Sequence, residues 1–386
     1  MIDWLEKPER RVPYTAQLWL AEAALARRPD SPRLLAQIGV IQERLGRPRE
    51  ALTALEASLR ADPEGFTEWA ELARVHARLG DGDAAFAACE RGMEQRPDGS
   101  LARTQGILLE GRGRRGDALR AYQHAVSLPG RDLAALERLF PLLLAEHADA
   151  ALDYCDQLAL IHRNTAITRA WRAVALSKGG RRDDAMAILN PAEHMQRIPF
   201  EPPSEFGGIE AFNTVLADEI ATDPSGRVIR NNFHLNVTPR QTGRPALQAV
   251  QVFIRAQLEA AAADPARYGL EGEPRPAAAS LDAITSVLVG DASNRQHVHQ
   301  GAYLTAIYHV RVPEAVRRSD GRAGALELGG CDQMLPGFQS CWECVYLKPR
   351  EGWLTIIPSH MFHDVVPTGT MEPRVSTAAD LTPIDA

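Results

Sequence analysis

Three histidines in the second half of the chain have types and spacing that could bind one metal ion: His297, His299 and His363. Residues i and i+2 of a β-strand project from the same face, so His297 and His299 could reach the same ion. His363, arriving from a distant strand, could supply a third imidazole and leave the opposite coordination positions open. The pattern therefore predicts a metal site with positions free for further ligands.

Arg374 lies eleven residues beyond His363 and could act on the same cavity. That separation lets a strand carry the guanidinium to the far end of the cavity. Guanidinium groups bind carboxylates through two parallel hydrogen bonds, so we predict that Arg374 binds a dicarboxylate. The alternatives without chemistry are a chance grouping of three among eleven histidines and a surface ion pair for Arg374.

Four segments, in this order, resemble the 2-oxoglutarate- and iron(II)-dependent dioxygenases. They are HVHQGAYLTAIYHVRVP from His297 to Pro313, residues 324–328, KPREGWLTIIPSHMFHDVVPTG from Lys348 to Gly369, and residues 374–376. The resemblance covers residues 205–386 and is strongest between 297 and 376. It implies Fe(II) and 2-oxoglutarate as cofactors, a hydroxylase activity and a double-stranded β-helix, or jelly roll.

The resemblance also implies a role for each candidate residue. His297, His299 and His363 would hold the metal. Arg374 and Ser376 would hold the distal carboxylate of 2-oxoglutarate. His309 stands where related oxygenases often have a tyrosine that touches the cosubstrate carboxylate.

The chain departs from the common His-x-Asp…His ligand set because His299 stands in place of the aspartate. A centre without that carboxylate would be more positive and would favour nearby carboxylates as charge partners. Asp291 and Asp364 could supply the missing carboxylate, although neither has the expected spacing. Three-histidine oxygenases that do not use 2-oxoglutarate are one alternative. A second takes His299-Gln-Gly301 as the key pair, which resembles halogenases with a chloride site.

The first half of the chain is a repeat. Pro29, Pro63 and Pro97 are each 34 residues apart, which is the period of the tetratricopeptide repeat, a pair of antiparallel helices. Small residues such as Gly39 allow close helix approach, and Gly80 and its equivalents lie where a helix must end in a left-handed conformation. Residues 14–28 are predicted to be the remaining helix of a truncated first unit.

These patterns predict an α+β multidomain protein, with an all-α tetratricopeptide superhelix followed by a jelly roll with flanking helices. The predicted boundaries are 1–193 for the repeats, 194–208 for a proline- and glycine-rich linker, and 209–386 for the jelly-roll domain. Within the last, helices are predicted at 209–221 and 244–262. Strands are predicted at 280–289, 303–312, 325–328, 344–347, 353–357 and 375–379.

Composition excludes several classes of partner. The net charge of −7 disfavours nucleic acid and anionic membranes, which both need a basic surface. The first residues lack the apolar core of a signal peptide, and no long apolar stretch could span a membrane. We therefore expect a cytoplasmic protein.

Five cysteines do not suggest a disulfide framework, because the number is odd and the chain has the character of a cytosolic protein. Cys341 and Cys344 have the spacing of redox and zinc motifs, and Cys331 lies ten residues before Cys341. A structural zinc site needs four ligands, and only three cysteines are local. Whether the Cys341–Cys344 pair has a role stays open.

Three functions compete. The first is a 2-oxoglutarate-dependent hydroxylase acting on a peptide or protein recruited by the repeats. The second is a three-histidine dioxygenase without 2-oxoglutarate, and the third is a non-catalytic adaptor with a relic jelly roll. The repeats would select the partner or, alternatively, form a homodimer contact.

Overall fold

The computed structural model describes residues 14–128, 132–161, 166–222, 227–229, 232–236 and 243–384. These residues form two compact units, one that ends at Glu146 and one that begins at His147.

The first unit consists of helix pairs. Its helices are α1 (Tyr14–Leu25), α2 (Pro32–Arg44), α3 (Pro48–Ala61), α4 (Phe66–Arg78), α5 (Gly82–Gln95), α6 (Gly99–Gly111), α7 (Arg115–Ser127) and α8 (Leu136–Glu146). The pairs α2–α3, α4–α5 and α6–α7 are joined by short turns, and equivalent helices begin 34 and then 33 residues apart. The predicted tetratricopeptide period is therefore confirmed.

Two glycines show why the repeat needs small residues at fixed places. A Cβ atom at Gly39 would lie 2.7 Å from Cγ of Leu55, so only a residue without a side chain allows α2 and α3 this close. Gly80 ends α4 with a φ of 82°, a left-handed conformation that side-chain-bearing residues rarely adopt. Both predicted roles are confirmed.

The second unit begins with α9 (Ala148–Ile161), α10 (Ala166–Lys178) and α11 (Arg182–Ile188), which were predicted to belong to the repeat domain. Helix α9 packs on α10, and α10 and α11 contact the β domain. The buried ring of Trp171 meets Phe362 edge to face with centroids 5.9 Å apart, and Ser177 Oγ accepts a hydrogen bond of 2.8 Å from the Cys341 backbone. The compact units thus divide near residue 146, inside the range 1–193 predicted for the repeats.

Among the described residues that follow, ten strands form two antiparallel sheets. The strands are β1 (Gln196–Pro199), β2 (Arg227–Ile229), β3 (Asn232–Asn236), β4 (Ala279–Leu288), β5 (Leu304–Arg311), β6 (Leu326–Leu328), β7 (Val345–Leu347), β8 (Trp353–Pro358), β9 (His363–Val365) and β10 (Arg374–Pro383). The larger sheet has the order β1-β8-β5-β10-β4-β3-β2, and the smaller has the order β7-β6-β9. Neither sheet closes into a barrel within the described ranges.

Strand β1 lies inside the segment predicted to be a linker. It pairs with β8 at the edge of the larger sheet, so residues 196–199 belong to the folded unit. Pro199 is compatible with this place because an edge strand leaves one row of backbone groups unpaired. The prolines that suggested a linker therefore mark an edge strand and the turn after it.

Two apolar layers hold the β domain together. One lies between the larger sheet and helices α12 (Ile209–Ala221) and α13 (Pro245–Ala261), and it includes Phe212, Ile254 and Tyr308. The other lies between the two sheets and includes Ile307 and Leu328. Since β5 is covered on both faces, it reads as a nearly continuous apolar run. The predicted fold class was a tetratricopeptide superhelix followed by a jelly roll with flanking helices. It is confirmed as repeat helices followed by an antiparallel two-sheet β domain with flanking helices.

No helix among the described residues has the length and apolar character needed to cross a membrane.

We expect a fragment of residues 147–386 to fold, and a fragment of residues 205–386 to be much less stable. The shorter fragment loses β1 and exposes the surface that Trp171 covers. Removing one large buried aromatic side chain alone costs about 3–5 kcal/mol. Urea unfolding followed by circular dichroism would compare the two, and equal midpoints would show that α9–α11 and β1 are dispensable.

Candidate active site

The three predicted histidines lie together, although the first two are not on a strand. His297 and His299 belong to the connection between β4 and β5, and His297 forms an isolated antiparallel bridge with His363 at the start of β9. The backbone N–H of each of these two residues donates to the carbonyl of the other at 3.1 Å. The N–H of His299 donates to the carbonyl of Ser359 at 2.9 Å. The backbone is extended enough for the i, i+2 rule to hold without a full strand.

Each imidazole has its Nδ1 atom engaged by the protein. Nδ1 of His297 lies 2.7 Å from the carbonyl oxygen of Arg295, and Nδ1 of His363 lies 2.9 Å from that of Met361. A carbonyl oxygen only accepts, so these Nδ1 atoms carry the proton and the Nε2 lone pairs stay free. Hydrogen bonds of this kind orient histidines that bind metals.

The ring arrangement suits one ion. Ring centroids are separated by 4.5 Å between His297 and His363 and by 5.0 Å from His299 to each of them. One nitrogen atom of each ring lies within 4.8 Å of the other two. Burial, and then the neighbouring His299, lower the pKa of His297 to about 4, and burial chiefly lowers the pKa of His363 as well. The two rings are thus neutral near pH 7, as metal binding requires.

A carboxylate that was not predicted from the sequence lies beside the third histidine of the cluster, His299. Asp380, on β10, accepts a hydrogen bond at 2.6 Å from Nδ1 of His299, and its other oxygen accepts one at 2.7 Å from the Thr305 hydroxyl. A carboxylate behind a metal-binding histidine increases the basicity of the ring. Asp380 therefore places a negative charge next to a set of ligands that lacks one.

We expect Asp380→Asn to weaken metal binding about 10- to 100-fold, because the amide removes the charge while keeping the shape of the side chain. Metal titration of the purified protein would measure it. Asp282→Asn is a matched control, since Asp282 is the exposed partner of Asp380 on the neighbouring strand β4. An equal effect of both substitutions would contradict a specific role for Asp380.

The two aspartates considered as the missing carboxylate lie elsewhere. Neither belongs to the group of side chains close enough to share an ion with the histidines. Asp364 follows His363 on β9, so its side chain points to the opposite face, where it accepts a hydrogen bond from Gln333 at 2.7 Å. Burial, and then nearby carboxylates, raise its pKa to about 6. Asp291 is exposed.

Arg374 is fully buried and has free hydrogen-bonding capacity. Its Nη1 donates to the Ser376 hydroxyl at 3.1 Å, whereas its Nε and Nη2 atoms have no partner within the described part of the chain. Burial lowers the pKa of Arg374 to about 10, so the group stays charged at neutral pH. A buried guanidinium with two unused donors costs free energy, which a bound anion would offset.

Further unpartnered polar atoms lie on the strands beside Arg374. His309 stands opposite Ser376 on β5, is buried and has a free Nδ1 atom. Ser286, opposite Ser376 on β4, has a buried hydroxyl without a partner, as has Thr355 on β8. Because the native interior rarely leaves polar groups unsatisfied, this set indicates a polar ligand. The residues present fit a carboxylate at Arg374 and a metal ion at the histidines.

The cysteines do not form a comparable site. All five are free, and among the described residues the histidine cluster is the only group of three or more such side chains close enough for a metal. Cys344 is exposed, and burial raises the pKa of Cys331 to about 12. A raised pKa disfavours the reactive thiolate.

The comparisons with known proteins match the carboxyl-terminal region and the helical region to different proteins. Residues 285–380 match the family described as "Putative 2OG-Fe(II) oxygenase". The match contains all three histidines together with His309, Arg374, Ser376 and Asp380. The oxygenase resemblance of the carboxyl-terminal region is therefore confirmed by an independent comparison. No curated protein matches the chain.

Solved structures resemble the helical region. The crystal structure of MamA is 15% identical and covers 44% of this chain and 91% of its own, with a TM-score of 0.34. A tetratricopeptide repeat protein from Parabacteroides merdae is 19% identical and covers 45% of this chain and 70% of its own, with a TM-score of 0.33. YrrB is described as a repeat protein with an unusual peptide-binding site. It is 17% identical and covers 43% of this chain and 87% of its own, with a TM-score of 0.33. Such low scores carry no argument about function.

Proposed function

We propose that this protein is a 2-oxoglutarate- and Fe(II)-dependent oxygenase that hydroxylates a peptide or protein. The observation that supports it most is the joint occurrence of three convergent imidazoles, oriented through Nδ1, and a buried guanidinium with unused donors. The match of residues 285–380 to an oxygenase family supports the same proposal.

His297, His299 and His363 would hold the metal through Nε2. Together with 2-oxoglutarate and O₂, the bound metal would supply the oxidising chemistry, in which one oxygen atom enters the substrate and the other enters succinate as CO₂ is released. Hydrogen bonds from Nδ1 fix the ring orientations, and Asp380 balances part of the positive charge.

Arg374 and Ser376 would bind the distal carboxylate of 2-oxoglutarate, and His309 would lie beside it. Burial lowers the pKa of His309 well below its usual value, with the charge of Arg374 the next cause, so His309 is neutral and its Nδ1 can donate or accept one hydrogen bond. Because Arg374 and His309 are both almost inaccessible to solvent, an ion pair with a carboxylate there would be little screened by water.

The repeats would recruit the substrate. A cavity of about 590 Å³ lies on the α3–α5 region, lined by Trp69 and Leu72 together with Arg91 and the ion pair of Arg60 with Glu56. An aromatic and apolar lining with charged groups at its edge suits a peptide segment. The cytoplasmic location remains part of this proposal, and homodimer formation is an alternative use of the repeats.

Metal analysis combined with a turnover assay would test the proposal. The full chain would be loaded with Fe(II) under anaerobic conditions and then exposed to oxygen. It should convert 2-oxoglutarate to succinate slowly even when no peptide or protein substrate is present. Oxygen uptake without succinate would favour a three-histidine dioxygenase. Failure to bind any metal would favour an adaptor with a relic domain.

A further inference from the structure

A second charged cavity lies outside the histidine site. It is open to solvent, has a volume of about 640 Å³ and is bordered by β1, α12, α14 (Glu314–Arg318) and the turn between β7 and β8. Four cationic side chains line it, namely Arg197, Arg317, Lys348 and Arg350, against two carboxylates, Glu210 and Glu351. The cavity is thus positive although the whole chain carries a net charge of −7.

The two carboxylates neutralise only part of the positive charge of the four cationic side chains. Glu351 accepts a hydrogen bond from the Val312 backbone at 2.8 Å and lies 3.9 Å from Arg317. Glu210 is exposed at the rim. In the part of the chain that the structure describes, no carboxylate pairs with Arg197, Lys348 or Arg350, whose side chains all line the cavity.

Two of these cations contact the same aromatic ring. The guanidinium carbons of Arg197 and Arg350 lie 5.2 Å and 4.8 Å from the ring centroid of Trp353. Arg197 also donates from Nη2 to the Lys348 carbonyl at 3.3 Å, while its buried Nε atom has no partner. Holding like charges together is unfavourable unless an anion joins them. Burial, and then Arg350, accordingly lower the pKa of Arg197.

The cavity also has a buried donor in its lining. Asn213 is 5% exposed, accepts a hydrogen bond from the Tyr308 hydroxyl at 2.8 Å, and has a buried Nδ2 group without a partner. Cations around the opening and an unused neutral donor in the lining are the features that oxyanion sites combine.

We propose that this cavity binds a small molecule carrying at least two oxyanion groups, carboxylate or phosphate, at a site separate from Arg374. Arg197 and Arg350 bind one oxyanion beside Trp353, and Lys348 or Arg317 binds a second across the cavity. Asn213 lies where it can add an uncharged hydrogen bond. The volume exceeds what one inorganic anion fills, which favours a ligand with several charged groups.

Isothermal titration of the full chain, without added metal, would test this with two probes: tricarballylate for carboxylates and pyrophosphate for phosphates. We expect at least one to bind, and the tighter one identifies the chemical source of the oxyanions. Lys348→Gln and Arg350→Gln together should weaken binding at least about tenfold, since each removes a charge-assisted hydrogen bond. Asn213→Asp, which keeps the side-chain size but replaces the donor with a carboxylate, should weaken it as well.

Two controls separate this site from others. Arg275→Gln removes one positive charge at an exposed position outside the cavity and should leave binding unchanged. Arg374→Gln should also leave it unchanged, which distinguishes this cavity from the proposed cosubstrate site. The proposal is overturned if neither probe binds, if the double variant binds as the unmodified protein does, or if Arg374→Gln abolishes binding.

Discussion

Replacing His363 by alanine is expected to abolish stoichiometric iron binding while leaving the protein folded. The side chain supplies one of three imidazoles, and its Nδ1 anchor to Met361 holds the ring in place. Removing a residue that only hydrogen-bonds to a metal ligand weakens metal binding about 10- to 100-fold. Removing the ligand itself should therefore weaken it at least about 100-fold. Elemental analysis after gel filtration would measure the iron content.

The fold should survive because the bridge between His363 and His297 is made by backbone groups, which alanine retains. Circular dichroism would verify this. His124→Ala is the matched control, since His124 is an exposed histidine on α7, far along the chain from the cluster. Full iron occupancy in folded His363→Ala protein would reject the ligand assignment.

Arg374→Gln is expected to weaken 2-oxoglutarate about ten- to a hundredfold and to affect iron much less. The loss corresponds to a charge-assisted interaction of about 1.5–3 kcal/mol. The affinity for 2-oxoglutarate would be measured by titration of the Fe(II)-loaded protein under anaerobic conditions. Arg318→Gln, at an exposed position on α14, is the control for loss of one charge.

The stability of Arg374→Gln separates a binding role from a structural one. Arg374 is buried without a carboxylate partner in the described residues, and its burial lowers its pKa, so the charge is unfavourable in the ligand-free protein. Replacing it should therefore leave the ligand-free melting temperature unchanged or raise it. A variant that unfolded easily would show that Arg374 serves the fold, and one that bound 2-oxoglutarate normally would reject its binding role.

Most of the fold could be predicted from local patterns. The 34-residue period locates the helix pairs, and apolar runs locate β4, β5, β6, β7, β8 and β10 within a few residues. Strands β1, β2, β3 and β9 were not predicted, because β1 lies among the prolines that indicated a linker and the other three are short segments with polar or charged residues. The grouping of α10 with the β domain depends on contacts such as Trp171–Phe362, which join distant segments and leave no local signal.

Part of the candidate site could also be predicted from the sequence. The histidines, Arg374 and Ser376 stand out by type and order. Asp380 could have been found by extending the alternation of β10, since residues 374, 376, 378 and 380 share a face. Ser286 and Thr355 could not, because a serine or threonine in a strand becomes informative only when its hydroxyl is seen to lack a partner.

The backbone bridge between His297 and His363 also bears on how the site comes into existence. Its two halves are far apart in sequence, and Asp380 stands 81 residues beyond His299. Contacts between residues so far apart in sequence form late in folding, because the chain entropy of a large loop must be lost first. A metal ion that needs this assembly stabilises only the finished domain. Iron uptake during refolding should consequently lag behind the appearance of helix and report the moment when β5, β9 and β10 have come together.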